Sequence, residues 1–275
     1  MEKTNNLNFE SPSFAKRLKG MLGVDFYRLF HTPLFYIFLA IAAIIPAMIL
    51  GMTSVENAQG VIEPLYSNTW HVIAAEKPLY VVSNIAEYAN MNMVFIFGGI
   101  MVSIFIGHDY KSGYVKQLFT THPKKQDYMM SKTIICAFAM ACMCITYLLG
   151  TVLAGAFVGA SFAVNAGSLI CAILGKMIMS LGWASLYVFL NIIFRKYFAI
   201  SIASSFFFGT GILIIGAAAI LGNSGFLNIF LYGSSVFACL SSNVLSVFIC
   251  LIVSVAWSVI YNVLGTHILN KSDVY

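Results

Sequence analysis

The sequence predicts an all-α polytopic membrane protein with six transmembrane helices and both termini on the cytoplasmic side. Three observations carry this expectation. First, 60% of the 275 residues are hydrophobic and only 9% are charged. Soluble chains carry about 25% charged residues, so the main solvent of this surface must be lipid. Second, the apolar residues gather into six runs of roughly the 20 residues that cross a bilayer as a helix. Third, all of the 15 Lys and Arg residues except Lys77 and Lys176 fall on the side shared by the two termini, and basic connections stay cytoplasmic. The net charge of +5 is therefore a topology signal and not the mark of a nucleic-acid partner. Residues 1–275 read as one transmembrane domain.

The first element covers residues 14–32. Phe14, Leu18, Met21, Leu22, Phe26 and Leu29 recur at helical spacing, with Lys16, Arg17, Lys19 and Arg28 on other faces. This pattern predicts an amphipathic helix in the cytoplasmic membrane interface, and Pro33 then turns the chain into the bilayer. No short apolar segment with a small-residue cleavage site precedes it, so no signal peptide is expected.

Span one is Leu34 to Met52. Residues 53–87 form an outer loop with Glu56, Glu63, Glu76 and Glu87 against Lys77 alone. Span two is Tyr88 to Gly107, and span three runs from Thr133 to Val158. A short outer turn at 159–167 leads into span four, Ser168 to Phe194, which a tight link carrying Arg195 and Lys196 joins to span five, Phe198 to Leu221. Residues 222–242 lie outside by topology yet are rich in Phe, Leu and Val. They are expected to re-enter the bilayer or pack on the spans, because irregular backbone at that depth must be buried in protein or face a cavity. Span six is Asn243 to Thr266, followed by a tail with Lys271.

The spans offer little chemistry. No Asp or Glu lies deep within one, and the five histidines stand near span ends or in loops, so a proton relay or an intramembrane protease centre is not expected. The six cysteines form no CxxC pair and read as small apolar packing residues. Lys176 is the one ionisable residue inside a span. It either snorkels toward the outer surface or faces a cavity as part of a substrate pathway. Small residues (Gly98, Gly99, Gly150 with Ala154, Gly209, Gly211) permit close helix approach. No GxxxxGK[ST] occurs, so the chain carries no P-loop for nucleotide phosphates.

The longest polar break between spans is GHDYKSGYVKQLFTTHPKKQDYMMSK, from Gly107 to Lys132. Tyr110, Tyr114, Val115, Leu118 and Phe119 fall on one helical stripe, with Ser112, Lys116 and Gln117 off it. A short cytoplasmic amphipathic helix follows, its stripe available to a groove on a partner. Pro123 disfavours helix at His122, and a helix restarts at Gln126 and continues into span three.

This layout resembles the permease subunits of ABC-2 type ATP-binding-cassette exporters over nearly the whole chain. The stretch DYKSGYVKQLFTTHPKKQDYMMSK is similar to that family's pattern of acidic residue, Gly, apolar stripe, Pro with a basic residue, and Lys. Asp109 stands where Glu is frequent, Tyr114 where Thr is usual, and Lys124 or Lys125 where Arg is common. The resemblance implies that residues 110–121 are a coupling helix docked on a separate P-loop ATPase subunit. Asp109, Tyr110, Gly113, Tyr114, Lys116, Leu118, Phe119, Pro123 and Lys124 would then be the coupling residues. It implies that 14–32, with Lys16, Arg17, Asp25 and Arg28, is a connecting helix touching the same subunit, and that 222–242 closes the outer end of the pathway.

The same likeness implies a second permease half, identical or related, in a bacterial plasma membrane. ATP and Mg would sit on the partner, and this chain would perform no covalent chemistry and hold no cofactor. The size and layout also resemble permeases that export, or confer immunity to, lantibiotics, bacitracin and similar peptides, so an amphipathic or peptide-like substrate is expected. A different class remains open: a membrane-embedded peptide sensor or immunity protein that binds a cationic peptide through the acidic outer loop without moving it.

Overall fold

A computed structural model describes residues 13–56, 60, 62–64, 85–120, 124–158, 166–213, 216, 228–240 and 244–271. The protein is helical. Helix α1 (Phe14–His31) and helix α2 (Pro33–Thr53) meet at a 64° bend. Thr32 sits there in an extended conformation, as expected of a residue before proline. Pro33 opens α2 at the position where a missing N–H costs nothing. Thr32 also satisfies the end of α1, its hydroxyl donating to the Arg28 carbonyl at 2.6 Å.

After α2, part of the expected outer loop forms a two-stranded antiparallel ribbon, β1 (Ser54–Glu56) with β2 (Ile62–Pro64), pairing Val55 with Glu63. Residues 57–59, 61 and 65–84 of that loop, with Glu76 and Lys77, lie outside the described residues. Helix α3 (Ile85–Lys111) continues one turn beyond the expected end of span two. The short α4 (Tyr114–Thr120) follows a turn at Ser112 and Gly113. Helix α5 (Lys125–Val158) is 34 residues long, roughly 50 Å at 1.5 Å per residue. It exceeds the hydrocarbon thickness of about 30 Å, so it projects past the bilayer core, as the expected restart near Gln126 requires.

Helix α6 (Ala166–Ile193) turns at 194–196 into α7 (Phe198–Thr210), followed by α8 (Leu231–Leu240) and α9 (Val244–Lys271). Helices α5 and α6 form the middle of the bundle. Trp183, Tyr187, Tyr147, Met140 and Met143 are buried there, with α2, α3 and α9 packed around them. The approach of α2 to α5 is close enough that a Cβ at Gly150 would collide with the backbone of Ala43, which explains a glycine in mid-helix. On α9, Ser246, Cys250, Ser254 and Ser258 line the face against α6. The Ser254 hydroxyl donates to the Ile178 carbonyl at 2.7 Å and accepts from the Gly182 N–H at 2.9 Å. The opposite face of α9 leaves Leu245, Phe248, Ile252, Val259 and Val263 exposed, the pattern of a helix that faces lipid.

Among the described residues four helical segments are long and apolar enough to cross a membrane: Met93–Lys111, Lys125–Phe157, Ile173–Ile193 and Val244–Lys271. The bent pair α1–α2 makes a fifth candidate. The span expected from Phe198 to Leu221 departs from a single continuous helix. Its first part, α7, has 13 residues and ends at Gly211, which adopts a left-handed conformation with φ 67°, and helical backbone is described again at Ile212 and Leu213. Thirteen residues rise roughly 20 Å, short of the bilayer core. The apolar run was legible, but its internal break depends on the backbone of one glycine.

Of the segment 222–242, residues 228–240 are described. Within it Leu231, Tyr232, Ser234 and Ser235 are buried, and the Trp183 indole donates to Ser235 Oγ at 2.6 Å. This part packs on the spans through α8.

Candidate functional site

One end of the bundle gathers α1, the end of α3, α4 and the start of α5. Its centre is a group of buried charges. The Lys132 ammonium on α5 donates to Asp25 Oδ1 on α1 at 2.6 Å and lies 2.7 Å from Asp109 Oδ2 on α3. Ser131 Oγ donates to the other Asp25 oxygen at 2.7 Å. Arg28, one turn along α1 from Asp25, pairs with Asp109 Oδ1 and lies 3.9 Å from Asp25. Asp25, Asp109, Ser131 and Lys132 are buried. Two carboxylates facing two cations leave no net charge, which is the condition under which such groups tolerate burial. Next to this group, Arg17 Nε donates to the buried Asp127 Oδ2 at 2.7 Å. The amphipathic α1 is thus held to α3 and α5 by ion pairs as well as by its apolar stripe.

The short α4 closes over the same cluster. Gly113 turns the chain between α3 and α4 at φ 73°, and Gln117 N–H donates to its carbonyl at 3.2 Å to start the new helix. A side chain at this left-handed position would cost roughly 1–2 kcal/mol, so the central glycine of the segment is required by geometry. The Tyr114 ring lies under the Arg28 guanidinium, 4.1 Å from its centroid, and 5.5 Å from the Lys132 ammonium. Phe105 takes the same two cations at 5.7 and 4.9 Å. Val115 is buried, and Phe119 meets Tyr128 edge-on at 5.7 Å.

This geometry corrects the expected role of the stripe. Tyr110 belongs to α3 and not to the short helix, which spans only Tyr114–Thr120. Tyr114, Val115, Leu118 and Phe119 turn inward and anchor α4 on its own chain. They are therefore not a free apolar face for a partner groove. What α4 and the preceding turn present outward is polar: Lys111, Ser112, Lys116, Gln117 and Thr120 are exposed. The physical reason is that the half-buried Arg28 and the buried Lys132 offer the Tyr114 ring a better neighbour than water.

The structure brings together Arg17, Asp25, Arg28, Asp109, Tyr114, Leu118 and Phe119 of the expected residues, with Tyr110 at their edge. Lys16 and Lys124 are exposed and stand apart from the buried group, and Pro123 lies outside the described residues. Lys176 is remote from it, half-buried on α6 with its ammonium 5.3 Å from the Tyr147 ring centroid. Among the described residues no carboxylate pairs with it.

Lys132 and Asp127 were missed as site residues, although the sequence carried a signal for the cluster. Asp25 continues the apolar stripe through Leu18, Leu22 and Leu29 at spacings of four, three and four. Lys132 likewise falls between the buried Tyr128, Ile135 and Cys136 of α5. A charge on an apolar stripe must find an opposite charge on another element.

A second polar group lies deeper, where α3, α6 and α7 meet. Asn191 Nδ2 donates to Ser103 Oγ at 3.1 Å and to the Tyr187 carbonyl at 2.8 Å, Ser201 donates to Asn191 Oδ1, and the Ser103 and Ser205 hydroxyls are hydrogen-bonded to each other at 2.8 Å. These groups satisfy one another, which suits helix association in lipid. Both sites join helices that are distant in sequence. Neither a protein-family model nor a curated protein matches this chain.

Proposed function

We propose that this chain is the membrane-spanning permease subunit of an ATP-binding-cassette exporter, moving an amphipathic or peptide-like substrate under the drive of a separate P-loop ATPase. The observation that carries the reading is the bracing of α4. A connection between two spans that served only to turn the chain would need a few residues. This one is a helix whose Tyr114 lies against the cations Arg28 on α1 and Lys132 on α5, and both of these pair in turn with Asp109 at the end of α3. A displacement of α4 is therefore carried into three helices at once. Its outward face is polar and basic, with Lys116 and Gln117 at its centre, a surface for a soluble protein and not for lipid.

In this reading two ATPase subunits close on ATP and push on α4 of two permease halves. The work is a population shift between conformations, and ATP binding supplies the difference in affinity for the two states. Six membrane crossings, cytoplasmic termini and a bacterial plasma membrane belong to the same proposal, which rests on the distribution of basic residues and on the family likeness. Apolar spans with few charges suit an amphipathic cargo better than a small ion, which would need polar ligands along its path.

The test is affinity purification of the full chain in mild detergent with identification of every co-purifying protein. Recovery of a P-loop ATPase in stoichiometric amount is expected, together with substrate-dependent ATP hydrolysis. Purification without any ATPase, combined with binding of a cationic peptide, would replace this reading with the peptide sensor or immunity protein.

A further inference from the structure

The sequence places the apolar stripe of α1 in the membrane interface, but Met21, Phe26 and Leu29 of that stripe pack into the bundle. The face that α1 turns outward is a different one, on which Lys16, Lys19, Gly23, Val24 and Tyr27 are exposed. We propose that this outward face rests against the bilayer leaflet at its end of the bundle, with its aromatic half at the acyl boundary and its two lysines on the phosphates of anionic lipids. The inference rests on the packing of α1 alone and needs no motor.

Depth comes first. Phe30 of α1 meets Phe138 of α5 edge-on at 6.1 Å, and Arg17 meets Asp127 at 2.7 Å. Those two partners stand three turns apart on α5, roughly 16 Å of rise. Helix α1 thus climbs out along α5 and carries one half of its outward face deeper than the other. The chemistry of the exposed face changes in order along this climb. Ile44 and Ile37 of α2 are exposed, then Tyr36, then Tyr27 of α1, then Lys19 and Lys16. The Tyr36 hydroxyl donates to the Phe30 carbonyl at 3.0 Å across the bend, so the two helices present one continuous face. Apolar, aromatic, basic is the order of hydrocarbon, interface and anionic headgroup, and a soluble partner imposes no such order. The charge agrees. Lys16 and Lys19 form no ion pair among the described residues, whereas Arg17 and Arg28 turn inward onto Asp127 and Asp109. Asp25, the one carboxylate of α1, is buried with Lys132. Counting the undescribed Glu2, Lys3 and Glu10, residues 1–24 hold four basic side chains against two acidic ones.

The test is contact quenching in nanodiscs of phosphatidylglycerol and phosphatidylcholine. A Cβ at Gly23 would meet nothing within 4 Å, so Gly23→Cys carries a bimane label without disturbing the packing of α1. The full chain is used, with its six native cysteines replaced by alanine. A nitroxide high on the acyl chain of one lipid or the other is the quencher. Quenching is expected from both lipids, and more strongly from phosphatidylglycerol. Lys16→Gln and Lys19→Gln should each lower that preference about fivefold, the effect of one basic residue near an anionic lipid surface. The same label on Val263→Cys, on the exposed apolar face of α9, should be quenched equally by both lipids. A label at Gly23→Cys that neither lipid quenches, while the one at Val263→Cys is quenched, overturns the proposal and assigns the face to water or a soluble partner. Equal quenching by the two lipids at Gly23→Cys, or a preference that survives both lysine changes, overturns it as well.

Discussion

Replacing Asp109 by Asn would leave Lys132 with Asp25 alone and Arg28 without its closest carboxylate. Losing one member of a buried ion group costs roughly 3–5 kcal/mol, because the remaining charge stays desolvated and unpaired. Ser103→Ala is the contrasting change. It removes a buried hydroxyl from the Asn191 group, and hydrogen bonds between membrane helices average about 0.6 kcal/mol. Thermal unfolding of the purified protein in mild detergent should therefore show a much larger drop for Asp109→Asn than for Ser103→Ala. Equal shifts would mean that the charge cluster does not hold the bundle end together. At this scale the sequence was partly legible. Asp25 and Arg28 stood out on α1, and Asp109 stood out in the polar break. That Lys132 links them was not readable, because Asp25 lies 107 residues from it and Arg28 lies 81 from Asp109, and only the packing of three helices makes them neighbours.

The amphipathic pattern of the short α4 was readable, but which way its apolar side faces was not. Tyr114, Leu118 and Phe119 have the spacing of a stripe whether they meet a partner or their own chain. The decision came from the cations of α1 and α5 under Tyr114. This separates two substitutions that the stripe alone would treat alike. Leu118→Asp puts a carboxylate against the core of the chain, where Leu118 packs. It should lower thermal stability, by an amount in the range of 1–3 kcal/mol for burying an unsatisfied polar group. Lys116→Glu reverses a charge on the exposed side and should leave stability within about 0.5 kcal/mol. If α4 docks an ATPase by its outward face, Lys116→Glu should weaken recovery of that subunit and of ATP-driven export while the unfolding midpoint stays in place. Full recovery with Lys116→Glu, and loss only when Leu118→Asp destabilises the fold, would remove the outward face from the docking surface.

For the whole molecule, the membrane character follows from solvent arithmetic, since 9% charged residues cannot cover 275 residues in water, and the long apolar helices agree with it. The alternation of sides rests on different physics: the reluctance of Lys and Arg to cross the bilayer during insertion. The structure adds a geometric constraint. Asp25 of α1 meets Lys132 near the start of α5, and Lys125 at that start meets Leu269 near the end of α9. The first and last described helices therefore share one end of the bundle, as an even number of crossings demands. With α7 ending at Gly211, evenness cannot come from counting uninterrupted helices.

Cysteine labelling in intact cells tests this directly. Single cysteines replacing Lys116 and Lys271 should resist a membrane-impermeant maleimide until the cells are opened, whereas one replacing Lys77 should react at once. Labelling of Lys271→Cys in intact cells, with Lys116→Cys protected, would give an odd number of crossings. The basic end shared by α1, α5 and α9 could then not lie wholly on one side of the membrane, and the motor-docking face would have to be placed again.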